Sequence, residues 1–292
     1  MSNPARRVTP DLLREWALPS GADSKYARGS VLVVGGARKS PGAVLLAGIA
    51  ALRVGAGRLT LAVAESVAGV LAVSAPESGV IGLAETAGGS VAGSSATRLG
   101  DELTAADVVL VGPGLDDAAE TAALMTTLVP LGDDTATFVL DAFALGVLPE
   151  LRSDPVVRSL AGRVVLTPNK GEAERLLGRD IRDLQDDVPR IAQRFGAVVT
   201  CFGIVSDAEG RVWRLGEGDG GLGTSGSGDV RAGAIAGLLA RGADPAQAAC
   251  WGSYLHLAAG ARLAESVGPT GYLARELAGE LPPLLAELGQ KA

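Results

Sequence analysis

Histidine occurs once in the 292 residues (His256), cysteine twice (Cys201 and Cys250), and aromatic side chains make up only 3%. One histidine excludes a histidine-rich metal centre, and two cysteines cannot build a four-ligand zinc site or a disulfide framework. Basic charge is also short: 26 Lys and Arg against 33 Asp and Glu leave a net charge of −7. No basic cluster offsets that deficit, so a nucleic-acid surface is not expected. Long apolar runs are missing as well. The best, residues 44–52, stops at Arg53 and is too short to span a bilayer. Residues 1–7 lack the apolar core of a signal peptide, and the expected location is the cytoplasm, off the membrane.

What the chain does have is apolar bulk and glycine. Hydrophobic residues are 47% and charged ones 20%, which is ample for a core, and 41 positions are glycine without a three-residue period. The length suits one large domain or two small ones. No composition break or internal repeat divides it, so residues 29–292 are expected to form one domain, with 1–28 as an N-terminal extension. Trp16 would pack that arm on the body or on a neighbouring subunit.

Strand-like runs alternate with helix-like ones, the pattern of a mostly parallel central sheet with helices on both faces. Strands are predicted over 31–34, 59–63, 108–111, 137–140, 164–166 and 198–201. Helices are predicted over 41–54, from 65 into the 73 region, and over 230–241, 245–266 and 272–288. Residues 204–205 and 211–213 read as a hairpin turning at Glu209-Gly210. Most of the strands end in Gly, Asp or Asn. In open α/β sheets ligands collect outside the carboxyl ends of strands, so these tips are the candidate site.

The strongest local signal is Gly223-Thr224-Ser225-Gly226-Ser227-Gly228-Asp229, the end of a glycine-rich stretch beginning at Gly216 and leading straight into a helix. Small residues let backbone N–H groups converge, and a helix N-terminus adds partial positive charge. Such a loop holds phosphate or the charge that develops when a phosphoryl group moves. Asp229, in the first turn, is within reach of the same anion and could serve as general base toward a hydroxyl. Its alternative is a plain helix-start acid. Gly35-Gly36 to Gly42 fits neither the Rossmann nor the Walker spacing.

The Gly-x-Gly-Asp element before a long helix resembles the ribokinase-like superfamily. Three further segments resemble the NAD(P)H-hydrate dehydratase family within it. One is Gly29-Ser30-Val31-Leu32-Val33-Val34-Gly35-Gly36 with Pro41-Gly42-Ala43 and Ala50-Ala51-Leu52-Arg53-Val54-Gly55-Ala56-Gly57. The second is Val111-Gly112-Pro113-Gly114-Leu115. The third comprises two strand ends, Leu140-Asp141-Ala142-Phe143 and Leu166-Thr167-Pro168-Asn169-Lys170-Gly171-Glu172. That resemblance implies nucleotide-dependent repair of hydrated NADH or NADPH, with ADP (or ATP) and Mg2+, by phosphorylation of the substrate hydroxyl followed by elimination. It implies Asp229 as the base and Gly226, Ser227 and Gly228 as an anion hole. It places Ser225 and Gly228 by the nucleotide, and Ala43, Gly114 and Asn169 by the dinucleotide substrate. A homo-oligomer is implied as well.

Three positions depart from the family pattern. Phe143 stands where a second carboxylate is usual, Asn169 where His follows Thr-Pro, and the stretch Val199-Thr200-Cys201-Phe202-Gly203 lacks the Lys-Gly pair that approaches the nucleotide. Asn169-x-x-Glu172 has two readings. Sugar and vitamin kinases of the superfamily use this pattern to organise Mg2+ through water, with Glu172 on the metal, and the same spacing makes a helix-capping pair. Two other functions are therefore open, a small-molecule kinase and a non-catalytic nucleotide-binding relative. His256, mid-helix among apolar residues, is expected to be a packing histidine, and both cysteines small core residues.

Overall fold

The computed structural model describes residues 5–20, 23–216 and 220–289, and its ten strands join in one sheet. In chain order they are β1 (Arg6–Arg7), β2 (Ser30–Val34), β3 (Arg58–Ala64), β4 (Gly79–Leu83), β5 (Val108–Val111), β6 (Thr137–Leu140), β7 (Val164–Leu166), β8 (Val198–Cys201), β9 (Ile204–Ser206) and β10 (Val212–Arg214). Across the sheet the order is β1-β10-β9-β8-β7-β6-β5-β2-β3-β4. β9 pairs antiparallel with both its neighbours, and the other pairings are parallel. The expected fold class is the observed one. Strands such as Val31-Leu32-Val33-Val34 are apolar at every position because helices cover both faces. Val31 and Val33 enter one core, and Leu32 enters the other.

The chain runs outward from β2 through β3 to β4, then returns to place β5 on the other side of β2. The order of strands reverses between β2 and β5, and in open α/β sheets ligands bind outside the carboxyl ends of the strands at such a point. Over one face lies the Ser227–Ala240 helix, packed on the Pro41–Arg53 helix. A Cβ on Gly233 would come within 2.0 Å of the Ala47 carbonyl oxygen, and one on Gly237 within 2.4 Å of that of Ala51. Glycine there lets two backbones touch. The matched register also sets the starts of both helices at the same sheet edge, beside that point.

Two strands are absent from the sequence reading. β4 is an edge strand containing two glycines, with only Leu83 buried, and β1 is two exposed residues. Neither carries an apolar alternation to read. The hairpin forms one residue later than expected, pairing Val205 with Trp213. β1 pairs with β10, Trp16 stacks on Trp213 at 5.8 Å, and the Trp16 carbonyl accepts from Trp251 Nε1 at 2.9 Å. The N-terminal arm therefore docks on its own chain. No helix among the described residues is long and apolar enough to cross a membrane.

Candidate active site

The glycine turns after β2 and β5 meet at the reversal point. Gly36 N donates to Pro113 O and Ala37 N to Gly114 O, each at 2.8 Å. Ser40 Oγ also donates to Gly114 O at 2.8 Å. Gly114 has φ +70, and a Cβ there would lie 2.3 Å from Ser40 O and 3.2 Å from Ala43 Cβ. Ala43, in the first turn of the Pro41–Arg53 helix, and Gly114 thus form one shallow wall. Next to it, a Cβ on Gly112 would strike the Asp141 carbonyl at 1.9 Å, which ties the β5 turn to the β6 tip.

The Asp229 loop enters the same edge. Gly226 is the N-cap of the Ser227–Ala240 helix in a left-handed conformation, φ +89, and a Cβ there would meet Leu46 Cδ1 at 2.5 Å. Ser227, Gly228 and Asp229 are the first helical turn rather than loop, because the αL glycine starts the helix three residues earlier than the apolar pattern suggested. A Cβ on Gly228 would meet nothing within 4 Å, so that face is open. Ser225 is exposed just before it. Part of the glycine-rich stretch, Glu217 to Asp219, lies outside the described residues.

Asp229 sits at the helix start with its carboxyl near Gly226. Burial, and secondarily the like charge of Asp141, push its carboxyl up to about 7. A carboxylate with that proton affinity is suited to taking a proton near neutral pH. Ser227 is buried, and its Oγ is 2.8 Å from His256 Nε2. Burial, reinforced by the charge of Arg231, pulls His256 down to about 3, so the ring is neutral at physiological pH. His256 is thus the packing histidine expected, buried with its Nε2 satisfied by the Ser227 hydroxyl at the helix start.

The β6 and β7 tips complete the cluster. Asp141 is buried and accepts a hydrogen bond from Thr167 Oγ1, and burial raises its proton affinity. Arg231 Nη2 donates to Thr167 O at 2.7 Å. Asn169 Oδ1 accepts from Glu172 N at 3.0 Å while Glu172 Oε2 accepts from Asn169 N at 2.9 Å, a complete capping box for the Lys170–Leu177 helix. The capping reading of this pair is thus what the structure builds. Glu172 is also raised, first by burial, and feels both Asp141 and Arg231. Phe143 packs partly buried against the core on its side of the sheet. Beside Lys170, a cleft of about 440 Å³ is lined by Arg182, Phe202, Gly203 and Gly216. Phe202, with φ +44, is strained, exposed and positioned at its mouth.

A family model described as NAD(P)H-hydrate dehydratase matches residues 31–283. An ADP-dependent (S)-NAD(P)H-hydrate dehydratase of Xanthomonas campestris is 42% identical over 97% of both chains. The chain belongs to the NAD(P)H-hydrate dehydratase family. A bifunctional NAD(P)H-hydrate repair enzyme of Moorella thermoacetica is 37% identical over 93% of this chain, which spans about half (52%) of that longer protein. The ADP/ATP-dependent NAD(P)H-hydrate dehydratase of Bacillus subtilis, co-crystallized with ATP/Mg2+, superimposes with a TM-score of 0.78 at 25% identity, covering 98% of this chain and 99% of that one.

Within this dehydratase fold, the structure brings Ala43 to Gly114, Gly226 to Asp229, and Asn169 to Glu172, all on one sheet edge. Arg231 and the bond from His256 to Ser227 escaped the sequence reading.

Proposed function

We propose that this chain is an ADP-dependent NAD(P)H-hydrate dehydratase with Asp229 as its general base. The observation that carries the reading is a half-buried carboxyl poised near 7 at the N-terminus of the Ser227–Ala240 helix. In this reading the dinucleotide lies along the Ala43–Gly114 wall, and the nucleotide lies between the Phe202 cleft and the loop, with Ser225 and Gly228 beside it. Asp229 takes the hydroxyl proton as that oxygen attacks the terminal (β) phosphorus of ADP, and the bond from that phosphorus to the bridging oxygen breaks, releasing AMP. Backbone N–H groups of Gly226 and Gly228 would face the phosphoryl charge, where fixed dipoles cost nothing to reorganise, whereas Ser227 N–H already donates to Thr224 O at 3.2 Å and Ser227 would contribute through its position in the turn. The new phosphate ester then departs with its C–O bond, and loss of a neighbouring ring proton restores the nicotinamide double bond.

Among the described residues no three acids or His/Cys ligands converge as a metal cage. That suits Mg2+, which is usually held by one or two carboxylates together with substrate phosphates. Glu172, with its acceptor capacity only partly used by Asn169 N, would hold it through water, and the ion would neutralise phosphate charge. Asn169 would serve the substrate from the same helix start.

Hydrated NADPH mixed with ADP, Mg2+ and pure protein should regain reduced-nicotinamide absorbance. No recovery with either ADP or ATP sinks the proposal. Accumulation of a stable phosphorylated product would instead identify a kinase, the reading that Asn169 in place of His and the Asn169–Glu172 spacing motivate. Nucleotide binding without turnover would identify a non-catalytic relative. The family resemblance further supports a homo-oligomer, which light scattering reads directly.

A further inference from the structure

Arg231 is anchored but not paired. One of its five N–H donors goes to Thr167 O, and its Nε is buried with no acceptor among the described residues. Two carboxylates lie close enough to feel its charge, Asp141 and Glu172, yet among the described residues no carboxylate comes within 4.0 Å of it. Arginines with buried donors normally satisfy them with a carboxylate or phosphate, because desolvating an unpartnered N–H is costly. A structural arginine would gain little from a buried Nε without an acceptor. An arginine that awaits an anion gains a partner when the anion binds.

Its position says which anion. The charge of Arg231 is felt at Cys201, Glu172, Asp141 and His256, the groups spread between the β8 tip and the anion loop. Cys201 precedes Phe202, which lines the 440 Å³ cleft, whereas Asp229 and Ser227 lie at the other end. With its terminal phosphate at Asp229, a nucleotide would bring that phosphate to the helix that carries Arg231, whose guanidinium Thr167 O holds at the β7 tip, beside the Asp141 to which Thr167 Oγ1 donates. The β8 tip itself, Cys201-Phe202, offers no cation.

We propose that Arg231 binds the terminal phosphate of the nucleoside diphosphate, a specificity-determining contact delivered from the same helix as the base. This deepens the dehydratase reading and rests on it for the orientation of the nucleotide. Arginine suits the task because its planar fork can keep Thr167 O and still present two donors to phosphate oxygens.

Calorimetric titration with ADP and, separately, with AMP tests the contact without any turnover. Arg231→Leu should weaken ADP about tenfold or more, the loss expected for a charge-assisted contact, and AMP less than about twofold. Arg231→Lys should fall between for ADP. Undiminished ADP affinity overturns the proposal, and so does an equal loss for ADP and AMP, which would mean a merely structural role. Thermal melts check folding, and Arg231→Gln carries the test if the leucine variant does not fold. Turnover of hydrated NADPH by the unaltered protein is measured alongside. Its failure would strike the dehydratase reading alone, whereas ADP titration still decides on Arg231.

Discussion

Two acids, Asp229 and Asp187, sit in this chain under opposite conditions. Asp187, in the Leu184–Phe195 helix, is buried and accepts from Arg179 Nη2 at 2.6 Å, Arg179 Nη1 at 3.1 Å, Arg190 Nη1 at 3.0 Å, Arg182 N at 2.9 Å and Asp183 N at 3.4 Å. The Arg179 guanidinium above all holds its carboxyl far below the ordinary range. Asp229 has no cation among the causes acting on it and a like charge nearby, and it is raised to about 7. The corner between the two helices spends donors freely on one structural acid. The sheet edge withholds them from Asp229, the acid proposed as general base. Where a buried carboxylate is fully supplied it stabilises the fold, and where it is starved it is kept reactive.

The sharpest way to break that contrast is to remove each acid in turn. Asp229→Asn should lower turnover of hydrated NADPH by about a thousandfold, within the range for loss of a general base. The same change should stabilise the free protein at pH 8 by about 2 kcal/mol, a discounted share of the cost of holding that acid charged. The sign follows from linkage. The folded form keeps a proton the unfolded chain has lost, so the contribution of Asp229 is full below the unfolded value near 4 and disappears as pH rises through about 7. A variant that loses activity and also loses stability would show that Asp229 is structural.

Asp187→Ala should do the reverse. It abandons several donors at once and should cost about 3 kcal/mol in chemical denaturation, with kcat/KM unchanged. Its stabilising effect belongs above the unfolded value near 4 and is lost as pH falls below it, the opposite direction to Asp229. An unaltered denaturation midpoint would remove the contrast from that side.

The contrast also marks how far the residues could be read in order. The Gly226-Ser227-Gly228-Asp229 run was legible because the backbone shape of an anion loop is written in consecutive small residues, and the parallel strands were legible because their apolar runs are continuous. The supply of donors was not legible. Asp187 draws on Arg179, Arg182 and Arg190 within its own neighbourhood, but in sequence these look like ordinary surface charges. The starvation of Asp229 depends on Asp141, far away in sequence, and the Ser227–His256 bond joins residues 29 positions apart. Only packing decides such distances. Arg231 belongs with the illegible part, since its bond to Thr167 O joins residues 64 positions apart.

His256 offers a smaller test. His256→Leu leaves the buried Ser227 hydroxyl without its partner, at a cost of about 2 kcal/mol, and should lower turnover less than Asp229→Asn does. His256→Gln, which can still meet Ser227 Oγ, should recover most of both. Because the ring is already neutral, its removal should leave the acid limb of the pH profile in place. A shifted limb would mean that His256 titrates with the base.

The finest test concerns the second acid of the edge. The rate, kcat/KM, should fall about tenfold per pH unit below roughly 7 as Asp229 takes up its proton. Burial is the larger cause of that high value and the charge of Asp141 the smaller. Asp141→Asn keeps an acceptor for Thr167 Oγ1 and the same burial while removing the negative charge. The limb should therefore move downward, toward the ordinary carboxylate range, by less than about one unit, with desolvation left to hold it well above that range. Since the two acids are coupled, the limb of the unaltered protein reports on the pair and that of Asp141→Asn on Asp229 alone. A limb that stays fixed would mean burial alone starves the base. A limb that falls back to ordinary carboxylate values would mean that the acid pair, rather than the desolvated helix start, sets the chemistry of this edge.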